Sequence, residues 1–257
     1  MTASGRLYLV VPLFDEEANL PRLFASFERL REAPLADGPP RLVLVDDGSR
    51  DATASLCTAL ATRGGFDLAL LRQGTNQGPG RAFTRAFEHL APLLRDEDWV
   101  ATLEGDNTSR VELIQRMFVR AAEGFEVVLA SPYIYGGAIL KTVTLRVFVS
   151  YVANVFLKES LGLRGIFTMS SFFRLHRGSV VRRLQAHYGP GILERAGFEC
   201  MVEMLIKLVH LRATLSEVPM VLDTSLREGR SKMSVTRTTF AYLGLWGDKR
   251  RWCRSGR

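Results

Sequence analysis

Two carboxylates separated by a single glycine are the residues of this sequence best suited to chemistry. Glu104 and Asp106 follow residues 99–103, an apolar and β-prone run typical of an interior strand of a parallel sheet. Carboxylates this close repel each other unless a positive group lies beside them, and a hard divalent cation that also holds a diphosphate meets that need. The alternative is a turn with an Asp or Asn cap before a helix that begins near Val111.

Two other apolar runs also end in acidic residues. Asp15 and Glu16 follow the first run, and Asp46 and Asp47 follow the second. Adjacent parallel strands end at the same edge of a sheet, where open α/β sheets bind their ligands. A turn or a helix cap explains any one of these motifs, but three acidic ends at one edge indicate a site for a nucleotide or a metal.

Short strands and helices alternate through the first half of the chain. The expected strands cover residues 7–13, 41–45, 66–71, 99–103 and 126–130, and the expected helices cover residues 20–32, 53–63 and 81–94. Asp15 or Asn19 is expected to cap the first helix. This alternation predicts an α/β fold with a mostly parallel, doubly wound sheet flanked by helices.

The second half is less regular and ends in a basic, aromatic extension. We expect a long amphipathic helix over residues 139–161, a helix over residues 197–210 and a strand within residues 214–221. The expected domain covers residues 1–230, with an amphipathic extension over residues 231–257. Mixed basic and aromatic residues suit peripheral contact with a membrane interface. The alternative is a helix docked on the domain, followed by a solvated basic tail.

The composition indicates a globular protein with an anionic partner. The 257 residues are 47% hydrophobic and 24% charged, and the net charge of +7 suits a phosphate substrate, a nucleic acid or a membrane surface. No helix-turn-helix, zinc or aromatic RNP pattern supports a nucleic-acid partner. Three cysteines without metal-ligand spacing, and the lack of a signal-peptide pattern or a bilayer-spanning run, predict a cytoplasmic protein.

Four motifs in the first 135 residues have the order and spacing of a known family. They are VVPLFDEE (10–17), LVDDGS (44–49), NQGPG (76–80) and LEGD (103–106). This set resembles family 2 glycosyltransferases, which have a GT-A fold. Four later motifs resemble the polyprenyl-phosphate branch of that family, which includes dolichol-phosphate mannose synthases. They are SPY (131–133), TMSSFFR (168–174), EVP (217–219) and REGRSKM (227–233).

The resemblance implies an inverting, metal-dependent transfer of a sugar from a nucleotide-sugar to a polyprenyl phosphate. Residues 1–135 would be the donor half and residues 136–230 the acceptor half. The implied nucleotide-binding residues are Pro12, Phe14, Glu16, Asp46, Asp47, Gly78 and Glu104. Asp106 would be the direct ligand of Mg²⁺ or Mn²⁺, and Glu104 would approach the metal or the ribose. The implied phosphate-binding residues are Arg146, Arg227, Ser231 and Lys232.

Several positions depart from the family pattern, mostly in the acceptor half. Glu104 replaces the usual first Asp of Asp-x-Asp, while Pro132 stands in place of an Arg and Thr168 in place of an Asp. Phe172 stands in place of a Gly. The absence of a Gln-x-x-Arg-Trp motif argues against a processive polysaccharide synthase.

The acceptor decides whether the reaction needs a general base. A phosphate monoester is already ionised, whereas an alcohol needs a base, for which Glu199 and Glu203 are candidates. For both residues the alternative is a solvated helix face or a structural ion pair. The four histidines show no metal spacing and are expected to be structural or surface residues.

Other functions remain open at this point. The same donor chemistry could serve a soluble sugar, a glycerate-like acid or a protein, or the chain could be a non-catalytic module that binds nucleotide-sugars. A nucleotidyltransferase or a dinucleotide-binding dehydrogenase would normally carry a glycine-rich loop directly after the first strand, where this chain has Phe14-Asp15-Glu16-Glu17.

Overall fold

The structure is a computed structural model, which describes residues 4–33, 35–141, 158–159, 162–163, 165–229 and 235–254. Within the last range, the backbone alone is described for residues 235–240 and 243.

Seven strands form the main sheet, in the order β3-β2-β1-β4-β7-β5-β8. They are β1 (Leu7–Leu13), β2 (Arg41–Asp46), β3 (Leu68–Arg72), β4 (Trp99–Thr102), β5 (Val127–Ser131), β7 (Arg174–Arg177) and β8 (Leu215–Pro219). Every pairing is parallel except those of β7, which runs antiparallel to β4 and β5. The expected mostly parallel sheet is confirmed, while β7 lies in a stretch where no strand was expected.

Two further strands, β6 (Ala138–Leu140) and β9 (Val221–Asp223), pair in parallel as a small second sheet. The α-helices are α1 (Leu20–Arg31), α2 (Thr53–Gly64), α3 (Pro79–Leu90), α4 (Ile114–Ala122), α5 (Gly178–Tyr188), α6 (Cys200–His210) and α7 (Val235–Trp252). Single turns of 3₁₀ helix occupy Val111–Leu113, Gly189–Gly191 and Thr224–Leu226.

Two apolar clusters cover the two faces of the main sheet. In β1, Leu7 and Leu9 belong to the cluster that includes residues of α1, α2 and α4, whereas Tyr8 and Val10 belong to the cluster that includes residues of α3, α5, α6 and α7. A strand buried on both faces needs apolar side chains at successive positions, which explains the continuous apolar run of β1. The doubly wound architecture follows from this two-sided burial.

The start of the long helix expected over residues 139–161 is wrong. Ile139 and Leu140 lie in β6, where they pair with Leu222 and Asp223 of β9, and Lys141 follows with a positive φ of 57°. A short apolar stretch fits a helix or a strand equally well, and here the partner strand decides. Residues 142–157, including the candidate Arg146, lie outside the described part of the chain.

The C-terminal helix α7 is docked on the domain. Leu245 and Trp252 are buried in the same cluster as α3 and α6, and the Trp252 indole donates a hydrogen bond of 3.0 Å to Glu194. Asp248 pairs with Arg195. Of the two interpretations of this extension, the docked helix is therefore the one that the described side chains adopt. Membrane contact stays a prediction, as do the domain boundary at residue 230 and the separation of donor and acceptor halves.

A glycine at the start of α3 allows a direct test of how closely that helix approaches the backbone of Arg195, and a glycine in α7 serves as the control. A Cβ atom on Gly80 would lie 1.9 Å from the carbonyl oxygen of Arg195, whereas one on Gly247, an exposed residue of α7, would meet nothing within 4 Å. We expect Gly80→Ala to lower the free energy of unfolding by about 1 to 3 kcal/mol, because the backbone must shift. The control Gly247→Ala should raise it by about 0.5 to 1 kcal/mol. Urea unfolding measures both, and equal effects of the two substitutions would contradict the close approach of α3 to residue 195.

Candidate active site

The three acidic strand ends meet at one edge of the sheet, as expected. The order β2-β1-β4 makes their strands neighbours. The amide of Arg50 donates to the Asp15 carboxylate over 2.8 Å and links the β1 and β2 loops. The Asn107 side chain donates to the carbonyl oxygen of Asn19 over 2.9 Å and links the β4 and β1 loops. Negative charge is therefore concentrated at the carboxyl ends of these strands.

Asp46 and Asp47 are almost fully buried and hold the neighbouring loops. The Asp46 carboxylate accepts a hydrogen bond from the amide of Ser49 and lies 3.3 Å from Nε of Arg72. The Asp47 carboxylate accepts from the amides of Gln77 and Gly78, both over 2.8 Å. Burial raises the pKa of Asp47, and these two amide hydrogen bonds oppose the rise.

The β3 end contributes two residues that the motifs did not reveal. Arg72 lies beside Asp46, and the Gln73 side chain donates to Asp47 over 2.9 Å. The sequence pattern could have identified both residues, because they stand at the carboxyl end of the strand expected over residues 66–71, which lies next to β2. The Arg72 guanidinium remains largely accessible to an anionic ligand.

Gly78 connects this edge to the start of α3. It has a φ of +93°, which an L side chain rarely adopts, and a Cβ atom there would lie 2.4 Å from the carbonyl oxygen of Ala196. The amide of Gly80 donates to the same oxygen over 2.8 Å. The expected role of Gly78 in donor binding stays a prediction, and its observed contacts shape the loop.

The β1 end brings Pro12 and Phe14, both half-buried, next to the buried Glu16. The Asn19 side chain donates to the Glu16 carboxylate over 2.6 Å. Asn19 stands at the N-cap position of α1, as one of the two expected candidates, but its side chain makes no capping hydrogen bond. The Asp15 carboxylate accepts from the amide of Arg50, and the Asn19 side chain donates to Glu16. A rule based on local sequence does not consider such partners.

Asp106 meets a guanidinium from the far end of the chain. One of its carboxylate oxygens accepts from the Thr108 amide and hydroxyl, over 3.1 and 2.7 Å. The other accepts from Nε of Arg227 over 2.7 Å and also contacts the Nη2 group. The structure thus brings together two residues assigned to one site by resemblance. Ser231 and Lys232, like Arg146, lie outside the described residues.

Glu104 is held between the amide of Phe172, at 3.2 Å, and the hydroxyl of Ser109, at 3.4 Å. Burial, followed by the charge of Asp106, raises the pKa of Glu104 to about 7. The additional carbon of Glu relative to Asp gives the carboxylate the reach to contact the chain before β7. A bound cation would favour its charged form.

Glu104 and Asp106 are the candidate ligands for a metal at this edge. Among the residues that the structure describes, no group of three or more His, Cys, Asp or Glu side chains could hold a metal ion. Two carboxylates are hard oxygen ligands that suit Mg²⁺ or Mn²⁺, which commonly complete their coordination with phosphate oxygens and water. Glu104 and Asp106 therefore fit an open site shared with a diphosphate, rather than a closed structural site.

The half-buried Glu217 and the buried Arg174 hold the loop before β7, in the implied acceptor half. Glu217 accepts from the amides of Phe167 and Thr168, both over 2.8 Å. Arg174 donates to the carbonyl oxygens of Met169 and Ser171, both over 2.9 Å, and burial lowers its pKa to about 10. Thr168 is itself buried, and the Glu217 carboxylate binds its amide.

Glu203 is a structural residue. It is fully buried, forms an ion pair with Lys207 over 2.5 Å and accepts from the amides of Glu194 and Arg195. The alternative of a structural ion pair is confirmed for Glu203, which rules it out as an accessible general base. His176 is also buried, and burial lowers its pKa to about 3, so it is neutral and structural.

Comparison with known proteins agrees with this geometry. The model of Glycosyl transferase family 2 matches residues 8–184, more than half of the chain. The chain is 23% identical over 248 residues to polyprenol monophosphomannose synthase of Mycolicibacterium smegmatis, covering 96% of this chain and 88% of the relative. It is 24% identical over 251 residues to undecaprenyl-phosphate mannosyltransferase of Micrococcus luteus, covering 96% of both.

A solved structure shares the fold. Glucosyl-3-phosphoglycerate synthase of Mycobacterium tuberculosis, in complex with Mn²⁺, uridine-diphosphate and phosphoglyceric acid, superposes with a TM-score of 0.62 at 17% identity. The match covers 97% of this chain and 78% of that one. The sheet and its acidic edge therefore define a GT-A fold. The chain belongs to the family 2 glycosyltransferases, and it is an enzyme that transfers a sugar.

The raised pKa of Glu104 predicts how stability depends on pH. Between pH 4.5, the ordinary glutamate pKa, and about pH 7, the raised pKa, Glu104 is protonated in the folded protein but largely ionised in the unfolded chain. The contribution of Glu104 to the free energy of unfolding therefore falls as pH rises through that range. We expect the free energy of unfolding of wild type, relative to Glu104→Gln, to fall by about 1 to 3 kcal/mol between pH 5 and pH 8.

Urea unfolding in a chelating buffer measures this difference. Other titrating groups, such as Glu217, are common to both proteins and cancel in the comparison. Parallel pH profiles for the two proteins would contradict the raised pKa.

Proposed function

We propose that this enzyme transfers a sugar, with inversion, from a nucleotide-sugar to a polyprenyl phosphate. The observation that carries the proposal is the meeting of Asp106 and Arg227 beside the acidic ends of β1 and β2. A carboxylate for a cation and a guanidinium for a phosphate are the groups that a nucleoside diphosphate requires. Both relatives that the chain matches over nearly its full length are named for polyprenol or undecaprenyl-phosphate mannosyl transfer.

The chemistry of the transfer assigns roles to the described residues. Asp106 and Glu104 would hold a divalent cation, which supplies positive charge next to the leaving diphosphate when bound. Arg227, released from Asp106, would stabilise the charge that develops on the same diphosphate. A phosphate acceptor is already ionised and attacks without strong base catalysis. The burial of Glu203 is compatible with such an acceptor.

A lipid acceptor would require contact with a membrane surface, at its cytoplasmic face. Within the described residues, no helix combines the length and apolar character needed to cross a membrane. Because Trp252 is buried, we propose that the C-terminal end of α7 would contribute basic residues rather than an inserted Trp252 ring. Arg250 and Arg254 are exposed near its C-terminal end and suit an anionic surface.

A soluble, phosphorylated acid is the second candidate acceptor. Thr168 stands where the polyprenyl-phosphate branch carries an acidic residue, and its buried amide is bound by Glu217. Pro132 likewise replaces a cationic residue of that branch. These differences fall in the acceptor half and leave the donor chemistry intact.

A donor and acceptor screen tests the proposal. Purified protein would be incubated with GDP- and UDP-sugars, with Mg²⁺, Mn²⁺ or a chelator, and with a short polyprenyl phosphate or 3-phosphoglycerate. We expect nucleoside diphosphate release that needs the divalent cation and rises with the polyprenyl phosphate. A rise with phosphoglycerate alone would establish the second candidate, and no turnover of any donor would overturn both.

Asp106→Asn separates the site from a merely acidic turn. The substitution keeps the shape of the side chain but removes its charge, and we expect turnover to fall by about 100-fold or more. The control is Asp96→Asn, whose exposed carboxylate pairs with Arg182 away from this edge. Unchanged turnover in Asp106→Asn, with both variants folded, would contradict the assignment of Asp106.

A further inference from the structure

Asn19 is a buried side chain that joins three parts of the active-site edge. Its exposed fraction is 2%, and it lies between the β1 strand end and α1. Nδ2 donates to the Glu16 carboxylate over 2.6 Å. The backbone carbonyl of Asn19 accepts from the Asn107 side chain over 2.9 Å, which ties it to the turn that carries Asp106.

The same carboxamide binds the backbone of Glu228 at two points. Oδ1 accepts from the amide of Glu228 over 2.9 Å, and Nδ2 donates to its carbonyl oxygen over 3.1 Å. These contacts span 209 residues of sequence. The Glu228 side chain is exposed, so the contact recognises the main chain and not the residue type.

The residue before Glu228 is Arg227, whose guanidinium binds Asp106. Arg22 also contacts this segment, donating to the carbonyl oxygen of Leu226 over 3.1 Å. This hydrogen bond is exposed to solvent, so it holds the segment less firmly than a buried one. Gly229 follows with a φ of +88°, and a Cβ atom there would meet nothing within 4 Å. Within the described residues, Asn19 is therefore the buried group that fixes the backbone next to Arg227.

We propose that Asn19 is a positioning residue for Arg227. By clamping the backbone of Glu228, it keeps the Arg227 guanidinium at the active-site edge, where it contacts Asp106 in this structure and would contact the diphosphate once released. Only a carboxamide combines the required donor and acceptor, because a carboxylate has no hydrogen to donate to Glu16 or to the Glu228 carbonyl. The inference rests on the proposed function for its catalytic consequence, but the clamp itself is a structural claim that can be tested separately.

A double-mutant cycle tests whether Asn19 acts through Arg227. In the wild-type background, Asn19→Ala should lower kcat by about tenfold or more, with a smaller change in the donor KM, because Arg227 is less well placed for the developing charge. In the Arg227→Ala background the same substitution should change kcat by less than about twofold, since the group that it positions is gone.

A structural role alone would give independent effects in the two backgrounds, and that result would overturn the proposal. Arg183→Ala is the matched control: it removes a bidentate ion pair with Glu126, at the start of β5 and away from the acidic edge. It should leave kcat unchanged in either background. Asn19→Asp keeps the size of the side chain and removes its donors, and it should reproduce the loss seen with Asn19→Ala.

Hydrogen exchange gives a readout that needs no turnover. Mass spectrometry of a peptide containing Glu228 should show faster exchange of its amide in Asn19→Ala than in wild type, while peptides from β1 and β2 stay protected. Unchanged exchange would overturn the clamp. If the wild-type protein turned over no donor, the proposed function would fail, and the exchange result would still decide the clamp.

Discussion

Repulsion among carboxylates is the constraint on which the active-site edge depends. The ends of β1, β2 and β4 bring acidic side chains together because these strands are neighbours in the sheet. The protein offsets this charge locally: backbone amides and Gln73 bind Asp47, and a guanidinium binds Asp106. Glu104 is the least compensated, and burial next to Asp106 raises its pKa to about 7. An edge of this kind is suited to a bound cation.

A second set of charged residues, buried or half-buried, holds the loops around that edge. Glu217 and Arg174 bind the backbone of the loop before β7, and Glu203 with Lys207 binds the backbone of residues 191–195. Residue 196 directly follows the loop that Glu203 and Lys207 hold, and its carbonyl oxygen accepts a hydrogen bond from the amide of Gly80. Hydrogen bonds from these charged side chains to main-chain groups add to the apolar packing of the two loops, which bury Met169, Phe173, Ile192 and Leu193. This explains why Glu203, which the sequence offers as a candidate general base, proves to be structural.

The location of the C-terminal helix changes how membrane contact would arise. Its apolar residues Leu245 and Trp252 complete the core beside α6, and Asp248 pairs with Arg195. A helix that uses its apolar face for packing has mainly its charge left for a lipid surface. Lipid composition, and particularly anionic headgroups, would then control the attachment more strongly than membrane insertion.

The sequence by itself determined the alternation of strands and helices, the doubly wound sheet, and the acidic residues at the ends of β1, β2 and β4. These features are local: an apolar run buried on both faces predicts an interior strand, and its first polar residues lie at the sheet edge. Only the tertiary structure decided that the side chain of Asn19 binds Glu228 instead of capping α1, that Ile139 joins a strand, and that Trp252 is buried. Each of these outcomes depends on a partner more than 50 residues away, which no local pattern or spacing identifies.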